Sequence, residues 1–184
     1  KALAHEICTV APLLIKKNTV DAFTQMSYLF AINDGDGLTT YLELFCELLM
    51  AFNLIKVVPN KKFVEEKLPA LQAKEPPSRA FRQALDHLSY PGVNSPTIIC
   101  LDISEWMTKI TTPEFRAFLN SLEDKSKDFI YIFRVPFLEK EVIENLKMGL
   151  GDILSIREIS FIPFDIKELR QYASSELCRR GFTM

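Results

Sequence analysis

No run of about 18 consecutive apolar residues occurs in this chain, so no membrane-spanning helix is expected. No secretory signal is visible either, and the two absences together lead us to expect a cytoplasmic protein. Lys and Arg form no long basic run, and the formal charge of −2 is near neutral, so nucleic acid is not an expected partner. The four cysteines, Cys8, Cys46, Cys100 and Cys178, form no CxxC pair; three lie in apolar segments, where Cys packs as a small hydrophobe. The two histidines, His5 and His87, have no ligand-spaced cysteine near them, so no zinc site is expected. Internal repeats and low-complexity segments are also missing.

What is present suits a globular domain. The 184 residues are 48% hydrophobic and 25% charged, enough apolar material for a real core, and the 14 phenylalanines point to a well-filled interior. The chain opens at Lys1 without Met and closes on Arg179-Arg180-Gly181-Phe182 just after a predicted helix, which leads us to expect a piece of a longer protein.

Hydrophobic periodicity divides the chain. Residues 2–24 mix helical spacing with Pro12 and an Asn18-Thr19 break, predicting one or two short helices. Met26–Ile32, Thr97–Asp102 and Asp128–Val135 are continuous apolar runs, which suit buried strands, and Arg157–Ile162 alternates as a strand does. Leu38, Leu42, Phe45, Leu49 and Phe52 recur at three- and four-residue steps, an amphipathic helix. Residues 56–77 carry Pro59, Pro69, Pro76 and Pro77 and read as a long connection with room for one short strand or helix. Further helices are predicted from the Ser78 cap to about Leu88, from the Thr112 cap with Pro113 at the first helical position, over 138–148, and from the Asp165 cap to about Arg179. Apolar strands alternating with amphipathic helices predict a three-layer α/β/α sandwich around a mainly parallel five-stranded sheet, a single unit over residues 1–184. Ligands in such sheets sit at the carboxyl ends of the strands, where Asp102 and the segment after Ile32 both fall. Trp106 and Met107, just beyond Asp102, are candidates either for the core or for an exposed contact surface.

The segment Asn33-Asp34-Gly35-Asp36-Gly37-Leu38-Thr39-Thr40 admits three readings. As a calcium loop with Gly37 at position 6, it places Asp34, Asp36, Thr40 and Glu43 on ligand positions, but Ile32 falls on the first and supplies no side-chain oxygen. No second such loop exists to pair with it. As a phosphate loop of the form G-x-x-x-x-G-K-[ST], it places Thr39 on the metal-binding hydroxyl, with Ile32 for the first glycine and Leu38 for the lysine. As a plain turn, it only joins strand to helix, and Asp102 only caps the turn that follows its own strand.

The same octet resembles the N-P-G-T-G-K-T-T loop of AAA+ ATPases, and the resemblance is nearest to the branch of rubisco-activase-type and stage V sporulation protein K-type ATPases. Ile98-Ile99-Cys100-Leu101-Asp102-Ile103 resembles the Walker B strand of that branch, Phe129–Arg134 its sensor-1 strand, and Glu158–Leu169 its last core strand and the helix after it. The likeness spans roughly residues 20–182; the helical lid that follows this core in the family is absent from the chain, and residues 1–24 form a helical segment before it.

The departures from the family pattern fall on its chemistry. Leu38 stands for the phosphate lysine, Ile32 for the first glycine and Ile103 for the Walker B glutamate. The arginine-finger position falls near Leu154, with Arg157 the nearest arginine, and no Asn or Thr stands near Arg134-Val135-Pro136 for sensor 1. Thr39 and Asp102 remain as candidate Mg²⁺ ligands, and residues 33–40 as a degenerate nucleotide loop; no catalytic residue is assigned. One unit-charge contact at about 5 Å and an effective dielectric of about 20 is worth roughly 3 kcal/mol. A loop that replaces the lysine and adds Asp34 and Asp36 is therefore expected to lose several decades of affinity for a triphosphate, and fewer where the aspartates point outward. The resemblance thus implies a pseudo-ATPase, a structural or protein-interaction module beside AAA+ domains or subunits, with no cofactor expected. The rivals are an ATP-binding AAA+ enzyme with an atypical Walker A loop, which would take Mg-ATP, and a calcium-binding protein.

Overall fold

The structure, a computed structural model, describes residues 2–17, 25–55, 63–67, 97–136, 138–160, 166–179 and 181. In chain order these form α1 (Ala2–Lys17), β1 (Ser27–Ala31), α2 (Leu38–Ala51), β2 (Val64–Lys67), β3 (Thr97–Asp102), a 3₁₀ helix (Ser104–Lys109), α3 (Pro113–Glu123), β4 (Phe129–Val135), α4 (Lys140–Gly151), β5 (Ile156–Ser160) and α5 (Ile166–Arg179). The expected helix from Ser78 to Leu88 and the Asp165 cap lie outside the described residues.

The five strands form one sheet in the order β2-β3-β4-β1-β5, and every pairing is parallel. Its central strands are apolar on both faces because both faces are covered. Tyr28, Phe30, Ile32, Ile98, Cys100, Ile130 and Ile132 point to one side, onto Ile7 and Ala11 of α1 and Leu42, Phe45, Cys46 and Leu49 of α2. The alternate residues Leu29, Ala31, Ile99, Leu101, Tyr131, Phe133 and Val135 meet α3, α4 and the 3₁₀ helix on the other side. Period-two alternation along each strand thus sorts one apolar run into two cores. This is the three-layer α/β/α sandwich that the sequence pattern predicts.

Several local expectations hold at their residues. Thr112 caps α3 with Pro113 in its first turn, the Thr112 hydroxyl accepting from the Phe115 amide at 3.3 Å. Of the one or two helices expected over residues 2–24, the described residues hold one, α1, which runs unbroken through Pro12. Pro12 and Cys8, whose carbonyl the missing N–H would have met, both lie on the exposed side of α1, where water can serve that carbonyl. Cys46 and Cys100 pack in the core, but Cys8 is exposed.

Trp106 settles on the core side of the alternative: it is 1% exposed, with ring centroids 5.4 Å from Phe115 and 6.3 Å from Phe118. The 3₁₀ turn rolls it inward, its amide donating to the Ile103 carbonyl at 2.8 Å, while Met107 stays half-buried beside the same core. Replacing so large a buried side chain with alanine is expected to cost about 3–5 kcal/mol. Urea denaturation of Trp106→Ala measures it, and a loss below about 1 kcal/mol would mean that the ring is not packed as described.

Candidate functional site

The connections fix where the site lies. From β1 the chain goes out to β2 at one edge, returns through β3 and β4, then passes over β1 to set β5 at the other edge. The carboxyl ends of β1, β3 and β4 are therefore neighbours, the crevice position of an open α/β sheet. Register makes them level: Ala31 pairs with Val135, and Asp102 with Arg134. Two further backbone bonds carry the pairing past the strand ends, from the Ile32 amide to the Val135 carbonyl at 2.9 Å and from the Ile103 amide to the Arg134 carbonyl at 3.1 Å.

Arg134 occupies the centre of this edge. It is 7% exposed, a charged side chain in a strand otherwise made of buried apolar residues. Its Nη1 donates to Asp102 Oδ2 at 2.8 Å, its Nη2 to Asp34 Oδ1 at 2.6 Å, and its Nε to the Ile32 carbonyl at 3.2 Å. One guanidinium so joins the ends of β1, β3 and β4 and the segment after β1. A buried charge is tolerated when paired and hydrogen-bonded, as this one is.

Asp102 has a second role. Its Oδ1 accepts from the Ser104 amide at 3.0 Å and from the Ser104 hydroxyl at 2.5 Å, which caps the 3₁₀ turn. Burial alone would raise the Asp102 carboxyl, but the Ser104 hydrogen bonds and the Arg134 guanidinium outweigh it and hold the group below its usual range. The cap expected as one reading of Asp102 is thus formed, and its other oxygen is engaged by Arg134.

The segment 33–40 forms a strand-to-helix turn. Gly35 and Gly37 have φ of 88° and 87°, the left-handed region that favours glycine. The Asp36 amide donates to the Asn33 carbonyl at 3.2 Å, closing the turn. Gly37 stands at the N-cap of α2 and gives no side-chain cap; Thr39 and Thr40 are exposed in the first helical turn. Leu38 is half-buried against the core beneath α1 and α2, so an apolar residue stands in the lysine position because it packs there. Ile103, in the glutamate position, is fully buried beside Trp106 for the same reason. Ile32, first in the calcium reading, is buried as well, and a strand rather than a helix precedes the loop.

Structure therefore brings Asp34 and Asp102 together through Arg134, while Thr39 lies on the exposed turn of α2. Among the described residues no group of three or more His, Cys, Asp or Glu is placed to hold a metal ion. Arg157, nearest to the arginine-finger position, forms a two-pronged ion pair with Glu6 of α1 and clamps that helix to β5; its hydrogen bond lowers the Glu6 carboxyl. Arg134 itself escapes a reading of local pattern, because its partners are 32 and 100 residues away. The available signal is a lone arginine inside DFIYIFRV, which has to find an anion if that strand is buried.

The two acidic partners of Arg134 differ in exposure, 23% for the Asp102 side chain and 96% for that of Asp34. Removing Asp34 (Asp34→Ala) is expected to cost less than about 1 kcal/mol, as exposed ion pairs do. Arg134→Met leaves Asp102 without its ion-pair partner, held by Ser104 alone, and removes the donor to the Ile32 carbonyl; it is expected to cost about 2–4 kcal/mol, discounted for the partial exposure of Asp102. Urea denaturation of both variants checks the contrast. The depressed Asp102 carboxyl adds a pH dependence. Its contribution is fully present above the unfolded-state value near 4 and is lost as pH falls through the lower folded-state value. Unfolding curves from about pH 5 to pH 2 should accordingly fall less steeply for Asp102→Asn than for the parent.

No protein-family model matches the chain, and no curated protein matches it. Among solved structures, C. elegans PCH-2, an AAA+ ATPase, aligns with a TM-score of 0.54 at 16% identity, over 98% of this chain and 49% of that one. The chain thus spans about half the length of that neighbour. At this identity the likeness speaks for the fold alone, an α/β sandwich on an all-parallel five-stranded sheet, consistent with a P-loop NTPase-like core.

Proposed function

We propose that this chain is an AAA+-like module without ATP hydrolysis, acting as a structural or protein-interaction unit within a larger AAA+ protein or assembly. The observation that carries the reading is the pairing of Arg134. Arg134, a cation in contact with the loop, already faces two carboxylates, so Asp34, Asp102 and Arg134 together sum to −1. A triphosphate brought to this edge would meet net repulsion and would have to displace Asp34 to reach a positive charge. Leu38 and Ile103, both packed into the cores, supply neither the lysine nor the water-activating glutamate on which phosphoryl transfer relies. The nearest branch by resemblance remains the rubisco-activase-type and stage V sporulation protein K-type ATPases.

Partners on this reading are neighbouring AAA+ domains or subunits, with no nucleic acid and no cofactor. Among the described residues no helix is long and apolar enough to cross a membrane. All four cysteines are free, which supports a reducing, cytoplasmic setting.

A second reading has two observations in its favour. The left-handed glycines keep a strand–turn–helix of the phosphate-loop kind, and Arg134 is a positive charge at its edge. An atypical ATP-binding domain would use it in place of the lysine, with Thr39 and Asp102 toward Mg²⁺. Calcium binding through residues 32–43 is the third.

Isothermal titration distinguishes the three. The proposal expects no heat of binding for Mg-ATP at micromolar concentrations and no phosphate release. Micromolar Mg-ATP binding with turnover would overturn it, and thermal stabilisation by Ca²⁺ alone would favour the calcium loop instead.

A further inference from the structure

One guanidinium holds two carboxylates in unlike surroundings. The Asp102 side chain is mostly buried and has its other oxygen on Ser104, while the Asp34 side chain is almost wholly in water. If Asp34 lets go, Arg134 keeps Asp102 and the Ile32 carbonyl, and Asp102 keeps Ser104. The freed carboxylate is then solvated at once. Loss of this one contact leaves no buried charge behind, which is the condition for a low-lying second state.

The segment that the contact holds carries two glycines. Gly35 and Gly37 flank Asp36 in left-handed conformations, and α2 begins directly after them. Changes in φ and ψ at such positions are absorbed without a Cβ penalty.

We propose that the Asp34–Arg134 contact is a releasable latch, which holds residues 33–37 and the entrance to α2 against the strand ends while the Arg134–Asp102 pair stays fixed. The latch goes beyond the absence of hydrolysis and does not depend on it. Its test needs no nucleotide, so either idea can fail alone. Because the contact is exposed, salt weakens it, whereas the Arg134–Asp102 pair is shielded from ions.

Two amides report the latch and a third reports the fixed pair. The Asp36 amide bonds to the Asn33 carbonyl and the Tyr41 amide to the Gly37 carbonyl, while the Ile103 amide bonds to the Arg134 carbonyl. None of the three is a chemical neighbour of position 34, so substitution there leaves their intrinsic exchange rates alone. Hydrogen exchange followed by NMR on the whole chain, at about 0.02 M and about 1 M NaCl, reads all of them. Asp34→Ala is expected to speed exchange at Asp36 and Tyr41 by about two- to five-fold at low salt, with the urea midpoint and the Ile103 amide little changed. High salt should bring the parent chain toward the variant and leave the variant where it was. Equal exchange at Asp36 and Tyr41 in parent and variant would overturn the latch. So would a parallel rise at Ile103, which would mean that Asp34 supports the strand ends rather than closing onto them.

Discussion

Three strand ends meet at one guanidinium, and the rest of the edge is arranged around that fact. Arg134 reaches a carbonyl after β1, a carboxylate at the end of β3 and a carboxylate in the loop before α2. A charge buried to this degree needs several acceptors at once, and here the aligned strand ends offer them together. The parallel register supplies the alignment, since Asp102 and Arg134 are Cα partners across β3 and β4. Asp102 passes the connection on to Ser104 and the 3₁₀ turn, which in turn seats Trp106 in the core under α3. The polar cluster and that core therefore share one turn of chain.

The same cluster carries the proposal that this fold acts without ATP hydrolysis. A phosphate site needs unsatisfied donors and surplus positive charge. Here the strongest donor is paired with side chains of its own chain, and the residues at the lysine and glutamate positions are apolar because each packs against a core. The stability of the fold rests elsewhere, in two apolar layers on a parallel sheet, with α1 clamped by Ile7, Ala11 and the Glu6–Arg157 pair. Those contacts are indifferent to what the loop after β1 binds.

Much of the architecture was legible residue by residue. Continuous apolar runs placed β1, β3 and β4, because a strand buried on both faces cannot alternate. Three- and four-residue spacing placed α2, and the Thr112-Pro113 pair placed the start of α3 to the residue. Pro12 left one helix or two open, and α1 runs through it because the carbonyl that loses its hydrogen bond lies on the exposed side, where water can serve it. The 3₁₀ helix and the inward turn of Trp106 were open in sequence because SEWMTK has no period of its own; the Asp102–Ser104 cap and the aromatic core decide it.

The site divides along the same line. Residue identities already require that a glycine-bearing turn joins β1 to α2, that it lacks a lysine, and that an aspartate ends β3. These follow from residue identity and local pattern, which act over a few residues. Tertiary structure alone decided that Asp34 and Asp102 share Arg134, and that Arg157 belongs to Glu6. Those pairs are separated by 32 to 151 residues, and no local preference encodes them. They exist because strand order and register bring the groups to one edge, where burial requires each charge to find an opposite one.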